Sequence, residues 1–441
     1  MAYAFNEPLY TPQPNIGFVD FIVGGVSITL PDKSEGRPQR LQDFSYVRKA
    51  MNCSNMFMIK VIDTEWIVVE NLLVQGRTEV KFKYYVNGPG GGLQSPMYHG
   101  LISNFTTNFA VDHCEISIEG YSMGTEANEI KRCGSYKNKK ISEIVKEICD
   151  RNGWNCVIDE TQSVKQYEGF TDTKIRNKVW TQNQVSDLQF IKETLLPYAV
   201  RDSDKVAGYK IFFDDKRDEN GKITLHFHPP RIENKVFKSY KFMRNDPYTP
   251  VISFAPEIPG HLKFMYGAGS VSSLTFDHIT QDINKNTVNQ QTTPEKTALS
   301  NKTIEQVVDQ KCGVGKKSFT SASSASDGKK LSKQMFYSNF NALYKAEMVI
   351  HLDTRLSVMD VINIQVILPS GLPHYSSGNY LIMEITDSIP ALTSTLQLFR
   401  NSSKEGECKV IGTVNGGALG HATRMRGSAI SGSAVAGVST R

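Results

Sequence analysis

Hydrophobic and polar positions alternate along much of the first 125 residues. Phe57, Ile59 and Val61 share one side of the stretch 57–63. Val80, Phe82, Tyr84 and Val86 oppose Glu79, Lys81 and Lys83, and Cys114, Ile116 and Ile118 oppose Glu115, Ser117 and Glu119. A period of two marks strands with one buried and one wet face. Trp66–Val69 is apolar throughout and predicts a central strand. The run Gly88-Pro89-Gly90-Gly91-Gly92 predicts a loop between strands. Several strands separated by turns predict a sandwich or barrel.

The period changes after residue 131. Ile141, Ile144, Val145, Ile148 and Cys149 fall on one face of a helix, and Gly153 follows as its C-terminal cap. Cys156–Ile158 predicts a short strand. Ser186 with Gln189 has the spacing of a capping box and opens a second helix carrying Leu188, Phe190, Ile191 and Leu195, which Pro197 ends. Strands return at 209–213 and 222–228, joined by a turn containing Asn220-Gly221. Residues 231–280 hold short β-like pieces among Pro247, Pro250, Pro256 and Pro259 and read as irregular. Residues 281–330 form a long polar stretch, of the kind that is functional or mobile when it interrupts a domain. Leu331, Met335, Phe336, Phe340 and Leu343 predict a helix. Strands follow near 346–352, 361–366, 380–386 and 395–399. Beyond residue 402 the chain is mostly small residues and slightly basic, too poor in large apolar groups to form a core.

Composition narrows the classes. With 441 residues, the length prior suggests about three domains. Charged residues make up 22% and the net charge is +5, too mild for a nucleic-acid coat and too balanced for wholesale disorder. No stretch approaches the roughly 20 apolar residues of a membrane helix, and MAYAFNEPLY lacks the features of a secretion signal. The seven cysteines include no CxxC pair, so free thiols in a reducing compartment are expected.

The search for reactive chemistry yields no catalytic, cofactor-binding or metal-ligating residue to nominate. Gly313-Val314-Gly315-Lys316-Lys317-Ser318 resembles a phosphate loop, but Gln310 stands where the first glycine belongs and Lys317 where Ser or Thr belongs. His226 and His228 share a strand face without an acidic or Cys partner spaced near them. Glu115 and Glu119 would project from one face of a strand, as carboxylates on any surface strand do. The glycine run 88–92 precedes no helix N-terminus that would complete an anion cradle. Trp66, Trp154 and Trp180 are scattered, and are expected in the core or at domain contacts.

The order of the pieces carries more information. The module KNKKISEIVKEICDRNGWNCVID is followed by WTQNQVSDLQFIKETLLPYAV and then by YKIFFDDKRDENGKITLHFHPP. This series resembles the hub proteins of contractile phage tails, the late control protein D family, and the related spike proteins of type VI secretion. Ile141–Ile148 with Gly153 matches that family's LysM-like module. Gln182 or Gln184, with Ser186, Asp187, Leu188, Phe190, Ile191 and Leu195, matches a second signature. The closing segments AEMVIHLDTRLSVMDVINIQV, HYSSGNYLIMEITDSI and TSTLQLFRN are similar to the family's last strands. The resemblance covers roughly residues 40–230 and 335–402, and does not extend to 231–334 or to a spike or lysozyme domain in the tail.

The resemblance implies a mainly β chain with a small α/β insertion, comprising two tail-tube-type β-barrels and a LysM-like module. The first barrel domain is expected at 1–128, with its barrel at about 16–128. The module is expected at 129–200, and the second barrel is split between 201–230 and 335–402. An inserted irregular or β segment with a long polar loop fills 231–334, and 403–441 is an extended C-terminal tail. The implied function is a non-enzymatic baseplate hub. Three chains would form a pseudo-sixfold ring between a hexameric tail tube and a trimeric central spike, around the channel that DNA crosses in transit. Expected partners are further copies, the spike, the tube or its initiator and other baseplate proteins, without stable membrane association. The expected location is the virion tail, after assembly in the host cytoplasm. Two other readings are a peptidoglycan-binding or cell-wall-degrading tail protein acting through the LysM-like module, and the hub of a host-encoded injection system.

Overall fold

The computed structural model describes residues 16–400 apart from 24–25, 33–38, 51–53, 72–78, 88–92, 168–174, 204–205, 215, 231–235, 244–248, 258–269, 277–282, 290–320, 323–329, 336–343 and 375. The glycine run 88–92, the loop 313–318 and the tail 403–441 therefore lie outside the described residues.

The chain is mainly β. Its first part contains β1 (Gly17–Val23), β2 (Val26–Pro31), β3 (Gln39–Lys49), β4 (Met56–Asp63), the short helix α1 (Ile67–Asn71), β5 (Glu79–Val86), β6 (Tyr98–Phe109) and β7 (Cys114–Ser122). These strands lie in the order β2-β1-β5-β6-β7-β4-β3, antiparallel throughout. The alternation read from the sequence sets the facing. Phe57, Ile59 and Val61 are buried, as are Val80, Phe82, Tyr84, Ile116 and Ile118. Phe57, Phe82, Tyr46, Tyr84 and Tyr98 pack as a connected aromatic group with centroids 4.7–6.4 Å apart. Gly120 makes room for it, because a Cβ there would stand 2.2 Å from Phe57 Cζ.

Trp66–Val69 does not form the expected strand. Trp66 takes a left-handed φ of 59°, and the Asp63 carboxylate accepts from the Val68 N–H at 2.6 Å. That capping bond starts α1. Val68 is buried, while Trp66 and Ile67 face outwards.

The middle part contains β8 (Lys131–Tyr136), α2 (Ile141–Asn152), β9 (Asn155–Ile158), β10 (Lys165–Tyr167), β11 (Ile175–Asn177) and β12 (Trp180–Ser186). A helical segment follows, α3 (Asp187–Gln189) with wider and then tighter turns through Tyr198. Then come β13 (Lys210–Asp214) and β14 (Thr224–His228). Gly153 ends α2 at φ 72°, as its place in the sequence predicts. The Ser186 hydroxyl accepts from the Gln189 N–H at 3.2 Å, the forward half of the expected capping box.

The assignment of 201–230 to the second barrel is corrected by the pairing. β14 lies between β13 and β9, parallel to β9. Tyr209, Ile211, Phe213, Leu225 and Phe227 share one core with Ile144, Ile148, Phe190 and Leu195. Among the described residues no ladder joins β13 or β14 to the strands after 335. The hairpin completes the α/β module.

The last part contains β15 (Val236–Met243), β16 (Val251–Glu257), β17 (Ser270–Phe276), β18 (Ile283–Asn289), β19 (Ser321–Ala322), β20 (Tyr344–His351), β21 (Val361–Ile367), β22 (Gly378–Ser388) and β23 (Thr393–Arg400). Here the irregular reading of 231–280 is corrected. β15 pairs with β21 and β16 with β20, giving the order β15-β21-β22-β23-β20-β16. Both are outermost strands, which explains the weak alternation of Val236–Met243 and the tolerance of Pro256 within β16. β17, β18 and β19 form a small separate sheet within the predicted insertion. Of the helix expected from Leu331 to Leu343, residues 330–335 are helical and the rest lie outside the described residues. Its inward contact is polar: Gln334 Oε1 accepts from the Gly208 N–H at 2.6 Å.

The two large runs of strands form one 13-stranded sheet through β22. Its first residues pair with β21, and Glu384–Ser388 pair with Lys49–Ser45 of β3. Ala50, Phe212, Met359, Val361, Leu381 and Met383 pack together where the first part, the module and the last part meet. Among the described residues the ladders run from β2 to β16 without closing a ring.

Candidate functional site: the β3–β22 joint and its surroundings

Arg48 on β3 and Asp387 on β22 sit beside each other in the joining ladder, with side chains 7% and 0% exposed. Arg48 donates to Asp387 Oδ2 at 2.6 Å, to the Leu356 carbonyl at 2.8 Å and to the Tyr98 hydroxyl at 3.4 Å. Tyr84 donates to Asp387 Oδ2, and Ser394 donates to Oδ1 at 2.5 Å. The pair thus ties β3, β5, β6, β22, β23 and the Leu356 turn together.

Burial alone would lower the Arg48 pKa, but Tyr98, Tyr84 and Asp387 outweigh it and hold the guanidinium's pKa well above its usual value. Burial and the nearby Asp387 carboxylate push the Tyr84 phenol up, and burial pushes Tyr98 to about 12. The cation keeps its charge and both phenols stay protonated across the ordinary pH range, Tyr84 as a donor to Asp387 and Tyr98 as an acceptor from Arg48. A fixed ion pair with its lone pairs occupied by donors holds position and does not shuttle protons.

The signature around Ser186 resolves into a second anchored group. Asp187 is almost wholly buried and accepts from Gln182 Nε2 at 2.9 Å, Asn152 Nδ2 at 2.9 Å and the Arg151 guanidinium. Arg132 adds an ion pair at 3.4 Å. One carboxylate therefore pins β8, the end of α2, β12 and the start of α3. Of the two glutamines matching the signature, Gln182 makes this contact; Gln184 takes a left-handed φ of 51° at the β12 irregularity.

The other sequence candidates are dispersed. His226 stacks on Phe212 at 4.6 Å, and His228 Nδ1 lies 2.9 Å from the Pro229 carbonyl. Among the described residues no group of three His, Cys, Asp or Glu side chains is arranged to hold a metal ion. Glu115 lies 3.6 Å from His113 Nε2 and accepts from Asn108, and Glu119 lies further along the same strand. Trp154 and Trp180 belong to the module core, with Lys178 over the Trp180 and Tyr198 rings. Trp66 instead meets Phe109 at 4.9 Å, beside exposed Ile67 and Val111 near the β6–β7 turn. Adjacent exposed apolar side chains of this kind mark contact surfaces. No described helix is long and apolar enough to cross a membrane.

Neither the ion-paired joint nor the Trp66–Phe109 patch was nominated from the sequence. The joint unites residues 339 apart, which no local pattern signals. The patch depends on α1, where four consecutive apolar residues predict a strand.

The sequence matches no protein-family model, and none of the curated proteins matches it. Solved structures do. The 43 kDa tail protein of prophage MuSo2 from Shewanella oneidensis aligns with a TM-score of 0.54 at 11% identity, over 88% of this chain and 99% of its own. The tail protein from Neisseria meningitidis MC58 aligns at 0.53 and 11% identity, over 89% of this chain and 97% of its own. A chain of the lidless PdpA–VgrG complex aligns at 0.50 and 10% identity, over 90% of this chain and 66% of its own. The chain shares the fold of these tail and VgrG-complex proteins across most of its length.

Proposed function

We propose that this chain is a structural baseplate hub of a contractile tail. Three copies would form a pseudo-sixfold ring between a hexameric tail tube and a trimeric central spike, with other baseplate proteins around it and DNA passing through in transit. The observation that carries the proposal is the arrangement of two β units, the first antiparallel and the second antiparallel apart from the parallel β15–β21 pair, joined edge to edge by β22 and β3. Each unit wraps its own apolar core. One chain thus offers two comparable β units side by side, and three chains offer six. β2 ends the sheet on one side and β15 and β16 on the other, so a head-to-tail contact between copies would use opposite ends of each chain. Such contacts would also cover edges that otherwise template aggregation.

In this reading each β unit is a tube-type barrel, and the α/β module, with the β13–β14 hairpin, is the LysM-like insertion. Its work is mechanical. The Arg48–Asp387 joint keeps the two units at a fixed angle, as load transfer from spike to tube requires. No catalytic step is assigned to it, and its place is the virion tail after assembly in the host cytoplasm. A glycan-binding module would need exposed aromatic rings, whereas Trp154 and Trp180 are 7% and 2% exposed.

Light scattering across a concentration series, with electron-microscope class averages of the same fractions, tests the proposal. A particle of three chains with six lobes is expected. A monomer throughout, with no ring in the averages and retention on peptidoglycan, would overturn it in favour of the cell-wall reading.

A further inference from the structure

We infer that the Trp66–Phe109 patch is the docking site for a segment of the chain's own C-terminal tail, Arg424-Met425-Arg426, which lies outside the described residues. The patch is built where β4, α1 and the β6–β7 turn meet. The Asp63 carboxylate accepts from the Val68 N–H, and the chain turns there so that Trp66 and Ile67 face outwards. The ladders bring the turn beside them, because Asp63 pairs with Cys114 and Cys114 with Phe109. The Trp66 and Phe109 rings lie 4.9 Å apart at 46°, with Trp66 39% and Phe109 54% exposed and Val111 fully so. A ring pair already in place and still open to water can receive an apolar side chain at little ordering cost. The surroundings are acidic. Glu65 precedes Trp66, Glu70 lies one helical turn beyond it with its N–H on the Trp66 carbonyl at 3.0 Å, and Asp112 follows Val111. All three are exposed. Against them stand His113, whose Nδ1 is 2.8 Å from Asp112, and Arg40 at the start of β3.

The tail supplies the complementary chemistry. From Cys408 to Arg441 it holds no acidic residue, and its basic ones are Lys409, Arg424, Arg426 and Arg441. Arg424-Met425-Arg426 sets a thioether between two guanidinium groups. Methionine sulfur is attracted to aromatic rings, and guanidinium groups pair with carboxylates and lie over indole faces. Length selects this segment. β23 ends at Arg400, three ladder steps from β4 and about 14 strand residues from the level of Asp63. At ~4.8 Å per step and ~3.3 Å per residue, the patch is at most about 50 Å from Arg400. Met425 stands 25 residues beyond Arg400 and reaches about 80–90 Å when extended. The nearer basic and apolar run, Lys409-Val410-Ile411, reaches only about 35 Å. Residues 1–15, at the other terminus, carry apolar side chains but no Lys or Arg. Tethering gives an effective concentration of about 1 mM, so a contact with an intrinsic Kd of about 0.1 mM would be closed about ten times more often than open.

The test reads amide exchange in the full chain. Met425→Asp changes the tail alone, and should speed exchange at 64–71 and 106–113 about tenfold while residues 56–61 of β4 keep their rates. Arg424→Glu with Arg426→Glu should do the same. Trp66→Ala should in turn speed exchange at 420–430. A second measurement locates the contact and its chain of origin. Arg426→Lys introduces an amine that a water-soluble carbodiimide should couple to Glu65 or Glu70, both on tryptic peptide 61–77. This variant is co-expressed with a chain that keeps Arg426 and carries Thr64→Ser as a mass label on that peptide. The expected cross-link contains only the unlabelled peptide. Cross-links that also carry the labelled peptide would overturn the proposal in favour of a tail from a second copy. Unchanged exchange at 64–71 and 106–113 in Met425→Asp would overturn it as well, and leave the patch to another occupant.

Discussion

Asp387→Leu strips the β3–β22 joint of its anion and leaves Arg48 buried opposite an apolar side chain. The Leu356 carbonyl remains as an acceptor for one Arg48 nitrogen, but the nitrogen now 2.6 Å from Asp387 loses its partner. Tyr84 and Ser394 lose the carboxylate to which they donate. Breaking a buried pair from one side costs about 3–5 kcal/mol, because an uncompensated charge stays out of water. Unfolding entropy of about 2.1 cal/mol/K per residue gives about 0.9 kcal/mol/K for the whole chain of 441 residues, so a chain unfolding as one unit would lose about 3–5 °C. If the units unfold separately, the loss falls on the transition that contains β3 and β22 and is larger in degrees. The matching change is the double variant Arg48→Met with Asp387→Leu, which removes both charges. Replacing a whole buried pair by apolar groups is commonly neutral or stabilising by about 1–4 kcal/mol, so the double variant should recover most of the loss. Scanning calorimetry on both single variants and the double variant closes the cycle. A single-variant loss under about 1 kcal/mol, or a double variant as unstable as the worse single one, would refute the view of the joint as a coupled ion pair.

Two further predictions concern the module. Asp187→Ala removes the acceptor shared by Gln182, Asn152 and Arg151, and should cost about 3–5 kcal/mol. Hydrogen exchange should rise across 131–228 and stay unchanged in β4 and β7. Lys210 on β13 is buried, and burial lowers its pKa from 10.5 to about 8. The unfolded chain therefore binds more protons than the folded one between about pH 8 and 10.5, and stability gains from this residue as pH rises through that window. Below pH 8 the cost is full, about 3 kcal/mol from the gap between the two values. Lys210→Met should thus stabilise the protein most at pH 7 and hold little advantage at pH 10.5, as read by urea denaturation at both pH values.

Local patterns predicted the elements well where one face is buried and the other wet. β4, β5, β7 and α2 were legible for that reason, and so were the Gly153 and Ser186 caps. Trp66–Val69 misled because four apolar residues in a row carry no period. A side-chain bond from Asp63 decided the outcome. β15 and β16 were missed because outermost strands bury few side chains. The partner of the β13–β14 hairpin was missed for a different reason: β14 lies parallel to β9, a pairing across some 70 residues that nothing in either strand announces. The S-D-L signature was visible as a motif, but that its Asp187 serves as an anchor emerged only when β8, α2 and β12 converged on it. Of the candidate site, Tyr84 was legible as a buried strand position. Arg48 was not, because a charged residue within a strand ordinarily reads as solvent-facing.

The shared strand β22 also imposes an order on biosynthesis. Asp387 leaves the ribosome 339 residues after Arg48. At about 5–20 residues per second, that interval is roughly 20–70 s. Through that time β3 has β4 on one side and no neighbour on the other, and Arg48 waits without its counter-ion. Neither β unit is finished until almost the last described strand has been made. If the proposed ring forms, a nascent chain that lacks β22 would be incompetent to join it, so that only copies carrying that strand would be admitted.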